Sequence, residues 1–272
     1  MRFWSLMNSR LISKAMLVLL ASAGMTYILF GCTQTQETKQ ADQQRSIIVG
    51  AAASMRFAFE EIGPLYEQET GTKVTFVFGS SGDLAKQITA GAPIDLFAAA
   101  NRDYIEDLIE SGHIIQGSQK IYAVGRIVLA VNKKSGLTLL NLEDLLADNV
   151  DTIALANPNH APYGMAAKGA LENTGIWERV AGKIVYAENI SQAQQFVATG
   201  NAPVGIIALA VANVPEIDYA LIDENLHSPL EQMLGVVKNS ARAGLAGEFA
   251  DYLQEPHIIK IMEKWGFNVP QN

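Results

Sequence analysis

The sequence has a single cysteine and no excess of basic residues. One cysteine in 272 residues excludes an intramolecular disulfide framework and any zinc site built from several cysteines. The 20 Lys and Arg face 28 Asp and Glu, and because nucleic acid binding needs a basic surface, we expect no nucleic acid partner. Internal repeats are absent. The 49% of hydrophobic residues suffice for one large domain or two smaller ones.

The N-terminal 31 residues differ from the rest of the chain. They contain three basic residues and no acidic one, and positions 15–31 form an uncharged, largely apolar run. A basic start followed by an apolar run is typical of an export signal. Cys32 follows directly after Leu29-Phe30-Gly31, which resembles a bacterial lipobox. We therefore predict a signal peptide over 1–31 and lipidation of Cys32; the run is also long enough for an uncleaved anchor.

A polar segment separates Cys32 from the folded body. Residues 33–45, TQTQETKQADQQR, contain no aliphatic side chain larger than alanine, a composition typical of a solvated tether. We assign 32–45 to the lipidated cysteine and tether, and the fold to Ser46 onward. The predicted product is an exported body held at the membrane, in the periplasm or on the cell surface. Without the signal, the acidic excess rises from 8 to 11.

The folded part alternates short apolar runs with amphipathic segments, a pattern typical of an α/β fold with mostly parallel sheets. The first apolar run, at 47–53, reads as a buried strand, and a helical pattern follows it. A further helix is expected after Asn141, which is a suitable cap. Strands are predicted at 47–53, 73–78, 94–98, 127–131, 152–156 and 183–187, and further apolar stretches lie at 204–212 and 233–238.

Four strand-to-helix junctions consist of small, hydroxylated or cap-forming residues. Each helix start offers free backbone N–H groups and the positive end of a helix dipole, and open sheets bind ligands where their strands end. Capping alone would explain any one junction. Together they predict an anion held by neutral donors. The junctions are Ser54, Ser80-Ser81-Gly82, Pro162-Tyr163-Gly164 and Asn189-Ile190-Ser191.

Longer stretches surround these junctions and carry a family resemblance. They are AAAS at 51–54, GSSGDLAKQITAGAPIDLFAAA at 79–100, NPNHAPYGMAAKGAL at 157–171, AENISQAQQFVATGNAPVGII at 187–207 and KWGF at 264–267. Over residues 46–270 the chain resembles the periplasmic molybdate-binding proteins of ABC importers. The resemblance implies a two-lobed periplasmic binding protein fold of type II, each lobe a mostly parallel sheet flanked by helices. The lobes are predicted at 46–124 with 233–272, and at 125–232.

The resemblance also implies the residues that contact a tetrahedral oxyanion. They are the hydroxyls of Ser54 and Ser81 and the backbone N–H groups of Tyr163 and Ile190, with Ser80 as a neighbour of Ser81. Many members add a tyrosine hydroxyl, and the matching position here is Ala208. Either another group, such as the Tyr163 hydroxyl, takes its place, or the site makes one hydrogen bond fewer. No cofactor and no catalytic residue is implied, and molybdenum enters only within bound molybdate.

The implied function is a monomeric substrate-binding lipoprotein that captures molybdate, and also tungstate, between its lobes and delivers it to an ABC permease. A fully ionised dianion has only acceptors, so a site made of donors leaves nothing unpaired. The same fold could instead bind another oxyanion, such as sulfate or thiosulfate, or act as a sensor. Protonated phosphate would need a carboxylate, and Asp83, two residues after Ser81, is expected to face away from the anion.

An enzyme on this scaffold is the remaining hypothesis. Gly79 and Ser81 match part of a G-x-S-x-G nucleophile elbow, but Asp83 stands where the second glycine belongs. The four histidines show no metal-binding spacing. His160 lies in the NPNHAPYG loop, where we expect it to shape the loop or face solvent. Catalysis needs a base, a nucleophile or a metal in the cleft, and the sequence indicates none.

Overall fold

The strands form two separate five-stranded sheets. A computed structural model describes residues 45–270. Five strands belong to the first sheet: β1 (Ser46–Ala52), β2 (Lys73–Gly79), β3 (Leu96–Ala99), β4 (Lys120–Gly125) and β10 (Leu230–Val236). Five others belong to the second: β5 (Ile127–Asn132), β6 (Ile153–Ala156), β7 (Ile184–Ala187), β8 (Val204–Ala208) and β9 (Ile217–Leu221). The sheet orders are β2-β1-β3-β10-β4 and β7-β6-β8-β5-β9. We call the two halves the first and second lobe.

One strand in each sheet runs against its neighbours. β1 and β3 are parallel, whereas β10 is antiparallel to both β3 and β4. In the second sheet β6 is parallel to β7 and β8, whereas β5 is antiparallel to β8 and β9. Both reversed strands adjoin a passage between the lobes, at Gly125 to Ile127 and at Leu221 to Leu230. The predicted α/β fold with two mostly parallel sheets is confirmed; the lobe boundaries stay a prediction.

Helices flank both sheets. The α-helices of residues 45–270 are α1 (Arg56–Thr70), α2 (Ser81–Thr89), α3 (Arg102–Glu110), α4 (Pro162–Asn173), α5 (Trp177–Val180), α6 (Ile190–Thr199), α7 (Leu209–Ala212), α8 (Ala243–Tyr252) and α9 (Pro256–Lys264). Short 3₁₀ turns cover Ala53–Met55, Leu142–Leu146, Ala181–Lys183 and Glu224–Leu226. Asn141 caps the second of these turns as predicted. The segment forms only this short 3₁₀ turn and not the predicted longer helix, because the backbone leaves the helical conformation at Ala147.

Each lobe has its own apolar core, and the two cores are in contact. The first lobe packs aromatic side chains between α1 and α8, where the rings of Phe59 and Phe249 lie 6.1 Å apart. The second lobe buries aliphatic residues of β5, β6 and β8. Its cluster also takes in Ala52, Ala53 and Ala100 of the first lobe. The two lobes therefore touch where β1 and β3 end.

The described residues from Ile47 onward form one compact unit. Within residues 45–270, no helix combines the length and the apolar character that a membrane crossing requires. The predicted signal peptide, Cys32 and the tether up to residue 44 lie outside the described residues. Their assignment therefore stays a prediction.

Candidate functional site

Five strands of the two sheets end around one small cavity between the lobes. β1, β2 and β3 lead into it from the first lobe, and β6 and β7 from the second. It is small, with a volume of about 200 Å³. Its lining consists of Ala52, Ala53, Ser54, Gly79, Ser80, Ser81, Ala100, Ala161, Pro162, Tyr163 and Ile190.

Ser54 brings a free hydroxyl to this cavity. It lies in the 3₁₀ turn that follows β1, and its side chain is buried. Within the described residues, its Oγ forms no hydrogen bond of normal geometry. A buried polar group without a partner costs about 1–3 kcal/mol. The Ser54 O–H is thus available to a ligand acceptor, and binding one would remove that cost.

The two serines after β2 differ in what their hydroxyls bind. Ser81 Oγ accepts a hydrogen bond from the backbone N–H of Ala100 at 2.9 Å, which leaves the Ser81 O–H free to donate. Ser80 caps α2, accepting from the Asp83 N–H at 3.2 Å and donating to the Asp83 carboxylate at 2.7 Å. A hydroxyl has one proton to donate. Ser81 therefore offers its proton to the cavity, whereas Ser80 gives its own to Asp83.

The first turn of α2 also offers a backbone donor. The first four N–H groups of a helix have no acceptor within the helix. Here the Gly82 N–H donates to the His160 carbonyl at 2.9 Å, and the Asp83 N–H donates to Ser80. Ser81 also belongs to this turn and lines the cavity. Within the described residues, its backbone N–H has no hydrogen-bond acceptor.

The second lobe presents the same kind of donor at two helix starts. In α4, Pro162 has no N–H and the Gly164 N–H donates to the Ala161 carbonyl at 2.9 Å. This leaves the Tyr163 N–H at the cavity. In α6, the N–H of the third residue, Gln192, donates to the side chain of the N-cap residue Asn189 at 3.1 Å. Ile190, the first residue of α6, lines the cavity, and its N–H has no acceptor within the helix.

The Tyr163 hydroxyl points away from its own helix, toward the passage between the lobes. It accepts a hydrogen bond from Gln232 Nε2 at 2.9 Å, and Gln232 Oε1 accepts one from the Tyr122 hydroxyl at 3.3 Å. Burial raises the pKa of the Tyr163 hydroxyl, and the nearby Ser54 and Gln232 side chains lower it only in part. Tyr163 therefore stays protonated at neutral pH and keeps an O–H beside Ser54.

Comparison with known protein families shows which family this chain belongs to. Residues 47–268 match the model of the bacterial extracellular solute-binding proteins. The chain belongs to this family. Among its relatives is the molybdate-binding protein ModA of Rhodobacter capsulatus, 34% identical over 81% of this chain and 87% of its own. Another is YvgL of Bacillus subtilis (strain 168), named as a proposed ABC transporter substrate-binding lipoprotein, 32% identical over 92% and 96%.

A solved structure of the family has the same architecture. The periplasmic molybdate-binding protein of Azotobacter vinelandii is similar to this chain with a TM-score of 0.78 and 29% sequence identity. The match covers 83% of this chain and all of the solved one. The predicted periplasmic binding protein fold is confirmed by this similarity. The two-lobed arrangement around a central cleft is thus that of a solute-binding protein.

In this solute-binding protein, most of the predicted contact residues lie together. Ser54, Ser80, Ser81, Tyr163 and Ile190 all line the cavity. Ala208 does not: it ends β8, is fully buried and pairs with Ile127. Among the described residues that line the cavity, none carries a charged side chain. Asp83 is turned toward Ser80 instead.

The sequence reasoning missed two contributors to the site. Ala100 orients Ser81 through a backbone N–H, which no side-chain pattern reveals. Gln232 is fully buried beside the Tyr163 hydroxyl. The sequence signal for Gln232 is weak, because the charged Glu231 precedes it in β10; only the structure shows that its amide is buried and therefore needs a partner.

Proposed function

We propose that this solute-binding protein captures molybdate, and also tungstate, between its two lobes and delivers it to an ABC permease. The observation that carries the proposal is the set of donors around the cavity. Free serine hydroxyls and helix-start amides converge from both lobes, and the cavity lining includes no charged side chain. The proposed ligand contacts are Ser54, Ser81, Tyr163 and Ile190.

Such a site suits a small, fully ionised dianion. Molybdate has only acceptor oxygens, so each contact pairs a donor with an acceptor and leaves neither partner unsatisfied. A hydrogen bond to a charged group contributes about 1.5–3 kcal/mol, and the donors of this site act together. The chain as a whole is acidic, so attraction must come from these local dipoles, because salt screens distant charges beyond about 8–10 Å.

The donors also argue against protonated phosphate as the ligand. A phosphate proton needs an acceptor, and the nearest carboxylate, Asp83, already accepts from the Ser80 hydroxyl at 2.7 Å. Sulfate and thiosulfate have no proton at neutral pH and could use the same donors. Sulfate has the charge and shape of molybdate but is smaller, so the size of the cavity in the closed cleft would decide between them.

Binding should favour the closed arrangement of the lobes. Ser54 and Ser81 belong to the first lobe, whereas Tyr163 and Ile190 belong to the second. Only a closed cleft lets both pairs reach one anion, so the anion stabilises that state by its differential affinity. A further contact already joins the lobes next to these donors, because the Ser191 hydroxyl donates to the Ala53 carbonyl at 3.0 Å. We place the hinge at the two chain passages, and a permease would recognise the closed form.

The N-terminal segment would keep this binding body, acting as a monomer, at the membrane. We propose cleavage before Cys32, lipidation of its thiol and a tether to residue 45, in the periplasm or on the cell surface. The similarity to YvgL, with lipoprotein in its name, supports this. Radiolabelled fatty acid should be incorporated into the full chain and not into its Cys32→Ser variant.

Calorimetry of residues 46–272 with molybdate, tungstate, sulfate and phosphate tests the ligand. We expect molybdate and tungstate to bind at least about 100-fold more tightly than sulfate, and phosphate to bind more weakly still. The Ser54→Ala, Ser81→Ala double variant is the control, which should stay folded and lose the binding. If sulfate bound as tightly as molybdate, the ligand assignment would be wrong and the alternative oxyanion reading would replace it.

A further inference from the structure

A cluster outside the anion donors connects the two lobes. His160 lies in the second lobe, in the loop between β6 and α4, and its Nδ1 is 2.9 Å from Ser80 Oγ and 3.3 Å from Asp83 Oδ2 of the first lobe. The Gly82 N–H donates to the His160 carbonyl at 2.9 Å. One residue of the second lobe thus contacts three residues at the start of α2: Ser80, Gly82 and Asp83.

The hydrogen bonds within the cluster fix the position of one proton. The Ser80 O–H donates to Asp83 Oδ2 at 2.7 Å, so the Ser80 oxygen faces His160 as an acceptor. A carboxylate oxygen is also an acceptor. His160 Nδ1 must therefore carry the hydrogen that both oxygens share, whether the ring is neutral or charged.

We propose that His160, Ser80 and Asp83 form an interlobe clasp that holds the cleft closed and prolongs the residence of the anion without touching it. This inference rests on the proposed function, because an anion is the ligand whose release reports on closure. Ser80 directly precedes Ser81, and His160 lies three residues before Tyr163. The clasp therefore fixes the spacing between donors from opposite lobes, and a preorganised site loses less conformational freedom on binding.

The surroundings of the clasp favour this function. The His160 side chain is only 17% exposed, so its hydrogen bonds are partly shielded from water. Lys86 lies 3.7 Å from the other Asp83 oxygen and holds that carboxylate from the solvent side. One oxygen of Asp83 thus contacts Ser80 and His160, and the other contacts Lys86. Asp83 does not line the anion cavity.

Gly82 adds a steric requirement to the same contact. A Cβ atom at this position would lie 2.8 Å from the His160 carbonyl oxygen and 3.0 Å from its Cα. Real side chains do not approach backbone so closely. A side chain at position 82 would therefore push the two lobes apart at the clasp.

The clasp is tested through the rate at which the anion leaves. In His160→Ala we expect molybdate to dissociate about tenfold faster, with an association rate within about threefold of the parent. His160→Asn keeps an N–H donor near the position of Nδ1, so it should restore most of the lost residence time. Asn159→Ala, an exposed neighbour in the same loop, is the control and should change neither rate.

Two substitutions of glycine test the steric part. Gly82→Ala should weaken molybdate binding at least about tenfold. Gly169→Ala, in α4, is the matched control, because a Cβ there meets no atom within 4 Å, and it should leave the affinity unchanged. Equal dissociation rates in the parent and His160→Ala, or no difference between the alanine and asparagine variants, would overturn the clasp.

Failure of the proposed function would give a different result. A parent protein that binds none of the tested oxyanions would contradict the function but not the clasp. Hydrogen exchange of the Gly82 amide, which donates to His160, then provides the test without a ligand. Slower exchange in the parent than in His160→Ala would support the clasp, and equal exchange would contradict it.

Discussion

The hydroxyl oxygen of Ser81 accepts a hydrogen bond from the backbone N–H of Ala100 at 2.9 Å. This bond joins the start of α2 to the end of β3 and leaves the Ser81 proton free for a ligand. Ser54 is buried to the same degree, but within the described residues its hydroxyl has no such partner. The two serines should therefore contribute alike to anion binding and differently to stability.

Ser54→Ala should weaken anion binding without destabilising the protein. We expect the affinity for molybdate to fall about 10- to 100-fold, because one hydrogen bond to a charged acceptor is lost. The free energy of unfolding without anion should stay unchanged or rise by up to about 1 kcal/mol, since an unpaired buried hydroxyl is removed. Calorimetric titration and thermal unfolding of the unliganded protein measure the two effects. A clear loss of stability would contradict the free hydroxyl.

Ser81→Ala should weaken both binding and stability. The affinity should fall about 10- to 100-fold, as in Ser54→Ala. The Ala100 N–H would lose its acceptor in a buried place, which should lower the free energy of unfolding by about 1–3 kcal/mol. The same two measurements apply. If Ser54→Ala and Ser81→Ala had the same free energy of unfolding, the hydrogen bond from the Ala100 N–H to Ser81 would not stabilise the fold as predicted.

Tyr163→Phe decides how the hydroxyl of this residue acts. We expect it to satisfy Gln232 and not to contact the anion, so its loss should lower the affinity for molybdate less than about tenfold. Gln232 Nε2 would be left buried and unpaired, which should cost about 1–3 kcal/mol of stability. Tyr122→Phe is the control, because its hydroxyl bonds are longer, at 3.3 and 3.4 Å. An affinity loss as large as in Ser54→Ala would mean that the Tyr163 hydroxyl contacts the anion itself.

The helix starts at the cavity could be predicted because their signals are local. Ser80 and Asn189 cap α2 and α6 with their own side chains, and Pro162 begins α4. Each signal lies within a few residues of the turn that it specifies. The alternation of strands and helices then determined at which end of each sheet these turns lie.

Contacts between distant segments could not be predicted in the same way. His160 and Ser80 are 80 residues apart and meet only after both lobes have formed. The sequence placed His160 near the cavity mouth but gave no partner for it. Several elements were not predicted, among them β4, β9 and α3. The alternation of Ile217–Leu221 is too short to stand out as a strand, whereas α3 begins with a local signal, its Asn101 cap.

The closing KWGF segment is held by a single carboxylate on α1. Glu61 accepts hydrogen bonds from Lys264 Nζ at 2.8 Å and from the Trp265 indole N–H at 2.9 Å. The bond from Lys264 contributes most to lowering the pKa of Glu61, which burial opposes and Trp265 supports. A lowered pKa means that the ionised carboxylate stabilises the fold above its usual pKa of about 4.3.

Glu61→Gln should therefore destabilise the protein in a pH-dependent way. At pH 7 we expect a loss of up to about 1 kcal/mol, the range of exposed ion pairs, or about 2–4 °C in Tm. The loss should shrink as the pH falls through the lowered pKa, because the parent carboxylate is then protonated as well. Glu60→Gln, on the adjacent and more exposed carboxylate, is the control. Thermal unfolding at pH 7 and pH 3 measures the difference, and an equal loss at both values would contradict the assigned ion pair.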